Sequence, residues 1–340
     1  MKRKKLIFIS VILILCLMTS CANINSTRED KEAEDGQGGI SLPCEDEFIV
    51  DVKVDQGKLM LSTISVAEDF STSTAVIWKS ADEGAHWKKV FEEQFASDEA
   101  GEIYINAEVH FVGQGGILQV HQWPKDNAKA EYSKLYYAND LENGSMEEVK
   151  SDCDMKNLGS TYFLNEDNLY GWDVMSGELL CLDLKKGTVQ KTQFDDVDML
   201  LDVVFDGPSA YIVYLSKAYA YTGMKYNVLE QRIEDAPVFE AMVKELGKKG
   251  YRMITGVRFY PCMKEDKEIY RYVCSDGVFE FDDSGSKKIS ASVPWGQNEE
   301  LDFEKAAVIS DEALLVYYTG LNGNKSHMRI DKIDLEKNED

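Results

Sequence analysis

The sequence is short of positive charge. Among its 340 residues, 37 are Lys or Arg and 61 are Asp or Glu, for a formal net charge of −24. Nucleic acid is held by basic side chains against phosphate, so this balance argues against it as a partner. It argues equally against adhesion to an anionic lipid surface by charge alone. Also lacking is an apolar run of the roughly 18 residues a bilayer span requires; the run from Leu6 to Met18 is thirteen long. Seven cysteines are present, but no CxxC and no zinc-type spacing. With Cys16 and Cys21 set aside, Cys44, Cys153, Cys181, Cys262 and Cys274 remain, an odd set. Cys262 and Cys274 flank a hairpin and could pair in an oxidising compartment; buried thiols are the alternative. P-loop, GxSxG, HExxH and dinucleotide fingerprints are absent, and no cofactor is expected.

What is there begins with a leader. Lys2, Arg3, Lys4 and Lys5 precede the apolar run, which fits a signal-peptide core over residues 1–20. Thr19 and Ser20 then precede Cys21. This resembles the lipobox of bacterial lipoproteins, with Met18 where that family usually has Leu, Val or Ile. The resemblance implies diacylation of Cys21, cleavage before it and an N-terminal membrane anchor, since two acyl chains hold stably where one holds marginally. Residues 21–47 read as a tether, because "NINSTREDKEAEDGQGG" has too few apolar residues to fold. The domain is then 48–340, outside the cytoplasm at a bacterial cell envelope.

The body is all-β. Runs such as "FIVDVKV", "TAVIWKS", "AEVHFVG", "ELLCLDL" and "GVFEF" are short, rich in β-branched and aromatic residues, and broken by "DQG", "GQGG", "KKG" and "SDG". First strands of successive groups begin near Phe48, Glu108, Thr161, Leu201, Ile254 and Ala306. Spacing near fifty, with three or four strands to a group, is that of a β-propeller. Six blades are expected, with seven the alternative. The last group is a strand short, which a segment near Ile40 to Cys44 could supply. One helix is expected near 236–246, with Asp235 as N-cap, Pro237 in the first turn, Val238, Phe239, Met242, Val243 and Leu246 as its apolar stripe, and Gly247 ending it.

"SADEGAHW" lies between two strand runs and reads as a hairpin turn. Asp82 can accept backbone N–H bonds, Gly84 permits positive φ, Ser80 adds a hydroxyl, and Trp87 re-enters the sheet. Ser80, Asp82, Gly84 and Trp87 resemble the Asp-box, or BNR repeat, of sialidase- and sortilin-like propellers. "FDDSGSKK" resembles a degenerate copy, keeping Asp283 and Gly285. The resemblance implies a structural turn remote from the ligand face. It does not extend to sialidase catalysis: that family's early F/Y-R-I-P arginine is missing, and outside the leader and the tether only Arg232, Arg252, Arg258, Arg271 and Arg329 exist.

Candidate ligand residues come from "AEVHFVGQGGILQVHQW". With Gly115-Gly116 as the turn, His110 falls opposite His121. The period of two puts Glu108, His110, His121 and Trp123 on one face and Val109, Phe111, Leu118 and Val120 on the other. Two imidazoles and a carboxylate could bind polar ligand groups or a metal, with Trp123 stacking; a histidine pair buried between blades is the plainer alternative. "YAYTGMKY" (Tyr219, Tyr221, Tyr226) is a second aromatic patch in a ligand-side connection, with core packing the favoured reading of its rings. "DDVDMLLD", Asp195 to Asp202, reads as a solvated turn entering a strand rather than a cation site. The expected function is a monomeric, membrane-anchored binding module for carbohydrate, peptide or envelope protein, with a glycan-active hydrolase or lyase as the alternative. Carboxylates converging in the pocket would favour the enzyme; aromatic and neutral polar groups would favour the module.

Overall fold

The computed structural model describes residues 40–43, 47–55, 57–97, 103–124, 132–141, 145–151, 155, 157–249, 257–290, 293–295, 300–310, 312–322 and 325–335. The leader, Cys21, most of the tether, Cys44 and Cys153 lie outside them. Six antiparallel sheets follow one another along the chain. Blade 1 is β1 (Phe48–Asp55), β2 (Lys58–Val66), β3 (Thr72–Ser80) and β4 (Lys88–Ala96). Blade 2 is β5 (Ile103–Val112), β6 (Gly115–Pro124), β7 (Tyr132–Ala138) and β8 (Glu147–Val149). Blade 3 is β9 (Phe163–Asn165), β10 (Asn168–Asp173), β11 (Glu178–Asp183) and β12 (Val189–Thr192). Blade 4 is β13 (Val197–Asp206), β14 (Ser209–Ser216), β15 (Tyr221–Asn227) and β16 (Arg232–Glu234), followed by α1 (Pro237–Lys248). Blade 5 is β17 (Val257–Lys264), β18 (Lys267–Cys274), β19 (Gly277–Asp282) and β20 (Gly285–Lys288). Blade 6 is β21 (Glu300–Ser310), β22 (Ala313–Asn322) and β23 (Lys325–Asp334).

The arrangement is a closed six-bladed propeller, because an apolar cluster fills each seam between neighbours. Ile77 of blade 1 packs with Val109 of blade 2, and Leu135 with Leu169 of blade 3. Leu179 meets Val203, Val273 meets Phe303, and Leu315 of blade 6 meets Val52 of blade 1. Burying both faces of every sheet explains why so many strands read as continuous apolar runs. First strands of neighbouring blades touch around the axis, β1 with β5 and β21, and β17 with β13 and β21. In each blade the first-to-second and third-to-fourth turns therefore lie at one end of the channel. The second-to-third turns and the links between blades lie at the other.

Blade 6 has three strands among the described residues. The expected early strand is present as a single contact: Ile40 N–H donates to Ile330 O on β23 at 3.0 Å. No regular strand forms over 40–43. The helix begins at Pro237 with Ala236 as its cap and no side-chain capping bond, so Asp235 is not the N-cap; it runs past Gly247 to Lys248. Its stripe Phe239, Met242, Val243 and Leu246 is buried against β15, β18 and β19, sealing the seam between blades 4 and 5. Cys262 faces Ile269 and Cys274 faces Val257. Five strand residues, about 16 Å, separate them along the ladder, and both are thiols.

Candidate functional site: a polar ring in the channel

The "SADEGAHW" segment forms the turn its residues require. Ser80, 1% exposed, accepts N–H bonds from Gly84 at 2.8 Å and Asp82 at 3.3 Å, and donates to Asp82 Oδ1 at 2.8 Å. Asp82 accepts the His86 N–H at 2.9 Å and meets His86 Nδ1 at 2.7 Å; these bonds, with Ser80's, hold its carboxyl at about 2. Gly84 has φ +93, and a Cβ there would lie 2.4 Å from Ile40 Cγ2. Trp87 Nε1 donates to Ser41 O at 2.8 Å. The turn lies at the end of the channel away from the second-to-third turns and clamps the 40–43 segment. In "FDDSGSKK" the accepting carboxylate is Asp282, not Asp283: it takes the Ser284 N–H at 2.7 Å, and Gly285 has φ +116.

The histidine register differs from expectation. The β5–β6 turn is Gly113-Gln114, with Gly113 at φ +54, so His110 faces Ile117 and His121 faces Asn106. Gly115 and Gly116 are strand residues; a Cβ on Gly115 would fall 1.9 Å from Ala138 O. The shift is by an even number of places, so the faces survive. Glu108, His110, His121 and Trp123 still share one face, and Val109, Phe111, Leu118 and Val120 pack against blade 1.

That shared face divides. His110, 4% exposed, is enclosed between blades 2 and 3, its ring 5.8 Å from that of Tyr162. His121 bonds Ser133 Oγ at 2.8 Å and stacks on Trp123 at 5.7 Å, both partly exposed near the second-to-third end. Glu108 lies between them. His110 Nε2 is 3.6 Å from Glu108 Oε2, and Asn106 Nδ2 donates to Oε1 at 2.6 Å. Burial pushes the Glu108 carboxyl up, but those bonds and the charges of His110 and His121 outweigh it and hold it at about 2. Its side chain nonetheless keeps 32% of its exposure.

Sequence reasoning missed the rest of this ring. Three inner strands carry β-bulges at matching depth: between Ile49 and Asp51 in β1, Leu200 and Asp202 in β13, and Phe303 and Lys305 in β21. A bulge re-aims the side chains around it, and here each is flanked or filled by a charged residue. Asp51, 1% exposed, accepts N–H bonds from Val52 at 2.7 Å and Phe111 at 2.8 Å, and pairs with Lys305. Asp202 pairs with Arg258 at 2.7 Å, and Arg258 Nε donates to Phe303 O at 3.0 Å. Burial works against the Arg258 charge, but Asp202 and Glu304 more than restore it.

Glu304 is the bulged residue itself, opposite no partner on β22. Among the described residues no hydrogen bond holds its carboxyl. Burial, then the charge of Asp302, raises it to about 7; Glu108 and Asp202 add to this and Arg258 opposes it. Tyr317 donates to Val50 O at 2.7 Å. Tyr162 is 9% exposed, and its buried hydroxyl has no partner among the described residues. Burial, with the charges of Glu108 and Asp51, keeps that hydroxyl protonated far above the usual range. Each blade thus contributes polar groups to one ring: Asp51, Glu108, Tyr162, Asp202, Arg258 and Glu304. Its signal in the sequence is a charge interrupting an apolar inner strand, as in "FIVDVKV", "LLDVVF" and "LDFEKAAV".

Tyr219 and Tyr221 of the second aromatic patch are 75% and 37% exposed on the second-to-third side, outside the core, while Tyr226 is buried in the seam between blades 3 and 4. Among the described residues no group of three or more His, Cys, Asp or Glu side chains is placed to hold a metal. No helix there is long and apolar enough to cross a membrane.

No protein-family model and no curated protein matches the chain. Among solved structures it is similar to a Trypanosoma rangeli sialidase in complex with the inhibitor DANA, at 9% identity and a TM-score of 0.49 over 85% of this chain and 55% of that one. It thus spans about half the length of that sialidase chain. YCF48 from Cyanidioschyzon merolae is similar at 8% identity and a TM-score of 0.44, over 88% and 98% of the two chains. The β-propeller domain of the Trilobed protease from Pyrococcus furiosus is similar at 12% identity and 0.41, over 86% and 99%. Sialidase and other β-propellers are therefore the chain's structural neighbours.

Proposed function

We propose that this chain is a cell-envelope lipoprotein whose propeller is a binding module, and that its ligand enters the channel from the second-to-third side to meet the polar ring. One observation carries the reading. Glu304 occupies a bulge that aims its carboxyl at the channel, and among the described residues no hydrogen bond uses it. The Tyr162 hydroxyl, elsewhere in the same ring, likewise has no partner among the described residues. Asp51, Asp202 and Glu108 are held by protein partners and form the frame. The Asp-box reading of Ser80, Asp82, Gly84 and Trp87 fits this orientation, since that turn lies at the other end. The lipobox at Cys21 would fix the domain to the membrane through the tether.

A second reading has its own support. Glu304 near 7 and Glu108 near 2 are two carboxyls pushed apart in protonation, the relation that glycoside hydrolysis uses for acid and anion. Incubation of the full-length protein with a panel of labelled oligosaccharides and peptides, following both retention and release of new reducing ends, separates the two. Retention without release, lost in Glu304→Gln, supports the module. Release that Glu304→Gln abolishes overturns it in favour of a hydrolase, and retention of nothing overturns both. Cys21→Ser should leave binding intact and move the protein out of the membrane fraction; unacylated wild-type protein in the medium would sink the anchor.

A further inference from the structure

Two loops on the second-to-third side hold a backbone conformation that their residues do not favour. In blade 1, Phe70 N–H bonds Ala67 O at 2.8 Å, and Ala67 N–H returns to Thr72 O at 3.0 Å. In blade 4, Tyr219 N–H bonds Ser216 O at 2.8 Å, and Ser216 N–H returns to Ala220 O at 2.9 Å. Each loop thus makes one turn and then steps through the left-handed region, Phe70 at φ 58 and Tyr219 at φ 62. Glycine or asparagine suits such a position, and a bulky aromatic there is an outlier. Strain of this kind persists where the side chain is needed at the place the strained backbone sets it.

Blades 1 and 4 are three places apart in a ring of six, so these loops stand on opposite sides of the channel. Phe70 continues into an aromatic surface. Its ring meets Tyr104 edge-on at 5.5 Å, Tyr104 faces Trp123 across the ladder, and Trp123 stacks with His121. On the far side stand Tyr219 and Tyr221. Between the two lies a ring in which Asp51, Glu108, Asp202 and Glu304 outnumber Arg258 and Lys305, within a chain of net charge −24.

From this arrangement we propose that the Phe70 and Tyr219 loops are the walls of a cleft across the channel mouth, and that its occupant is a glycan chain bearing free amino groups. This rests on the channel being the binding site. Aromatic faces take the C–H faces of sugar rings and attract ammonium groups. The surplus carboxylates match those ammonium groups and repel polyanions. A protein partner would be met by one continuous apolar patch, whereas here aromatics on two sides are separated by charge.

The test is calorimetry of the full-length protein with a β-1,4-linked glucosamine hexamer, its fully N-acetylated form and glucosamine dimer. Wild-type protein should bind the amino hexamer at least tenfold more tightly than the acetylated one. Phe70→Gly and Tyr219→Gly should each weaken the hexamer about tenfold, leave the dimer within twofold, and raise or preserve the melting temperature, because glycine relieves the strained φ. A purely structural role for these rings would lower the melting temperature without that length dependence. Absence of hexamer binding, equal binding of the acetylated form, or an unweakened Phe70→Gly/Tyr219→Gly double variant each overturns the proposal. If Glu304→Gln leaves hexamer and dimer binding unchanged while the glycine variants lose the hexamer, the cleft stands and the channel reading falls. The opposite pattern removes the cleft and keeps the channel.

Discussion

Ser80 does more for its turn than the aspartate beside it. Its hydroxyl serves two backbone N–H groups, that of Gly84 buried and that of Asp82 half-buried, and orients Asp82, all from a position 1% exposed. Ser80→Ala leaves those donors without an acceptor, at about 1–3 kcal/mol, readable as a shift in the denaturant midpoint at unchanged slope. Glu304 has the opposite relation to stability. Its folded carboxyl, near 7, lies above the ordinary value of 4.5, so the native state holds the proton more tightly than the unfolded chain. That contribution is full below about 4.5 and is lost as pH rises through about 7. Glu304→Gln should therefore flatten the fall in melting temperature between those limits and match or exceed wild type above them. A wild-type melting temperature that rises smoothly across this window would show that Glu304 is an ordinary anion.

Within elements, glycine serves two purposes that a sequence writes with one letter. In "GQGG", Gly113 supplies a positive φ and has open space around its Cα, while Gly115 lets β6 approach the carbonyl of Ala138. Gly113→Ala should cost about 1 kcal/mol. Gly115→Ala must displace backbone and should cost several times as much in chemical denaturation; the reverse order would return the turn to Gly115-Gly116. This ambiguity separates the observed histidine register from the expected one, while the two faces are the same in both. Parity along a strand follows from the pleat alone, whereas register depends on which glycine turns the chain. The helix was legible for the same reason as the faces: Phe239, Met242, Val243 and Leu246 repeat at the helical period and all are buried. Its start was not, because Asp235 has the composition of a cap without making the bond.

For the whole molecule, blade number and order were legible because each seam needs two apolar faces, so every blade announces itself as a cluster of apolar strands. The ring of charges was not. Asp51, Asp202, Arg258 and Glu304 come from four blades, and nothing local tells Asp202 from Asp195 until the bulges set inner strands side by side. The closure carries a further consequence, one of time. Val52 and Leu61 in blade 1 are covered by Leu315 and Ile330 in blade 6, and Ile40 waits for Ile330 as well. A chain made from its N-terminus exposes that face of blade 1 for nearly the whole of synthesis, and contacts this far apart in sequence form slowly. The apolar surface that is made first is the one covered last, so the hazard of aggregation during folding is concentrated on blade 1.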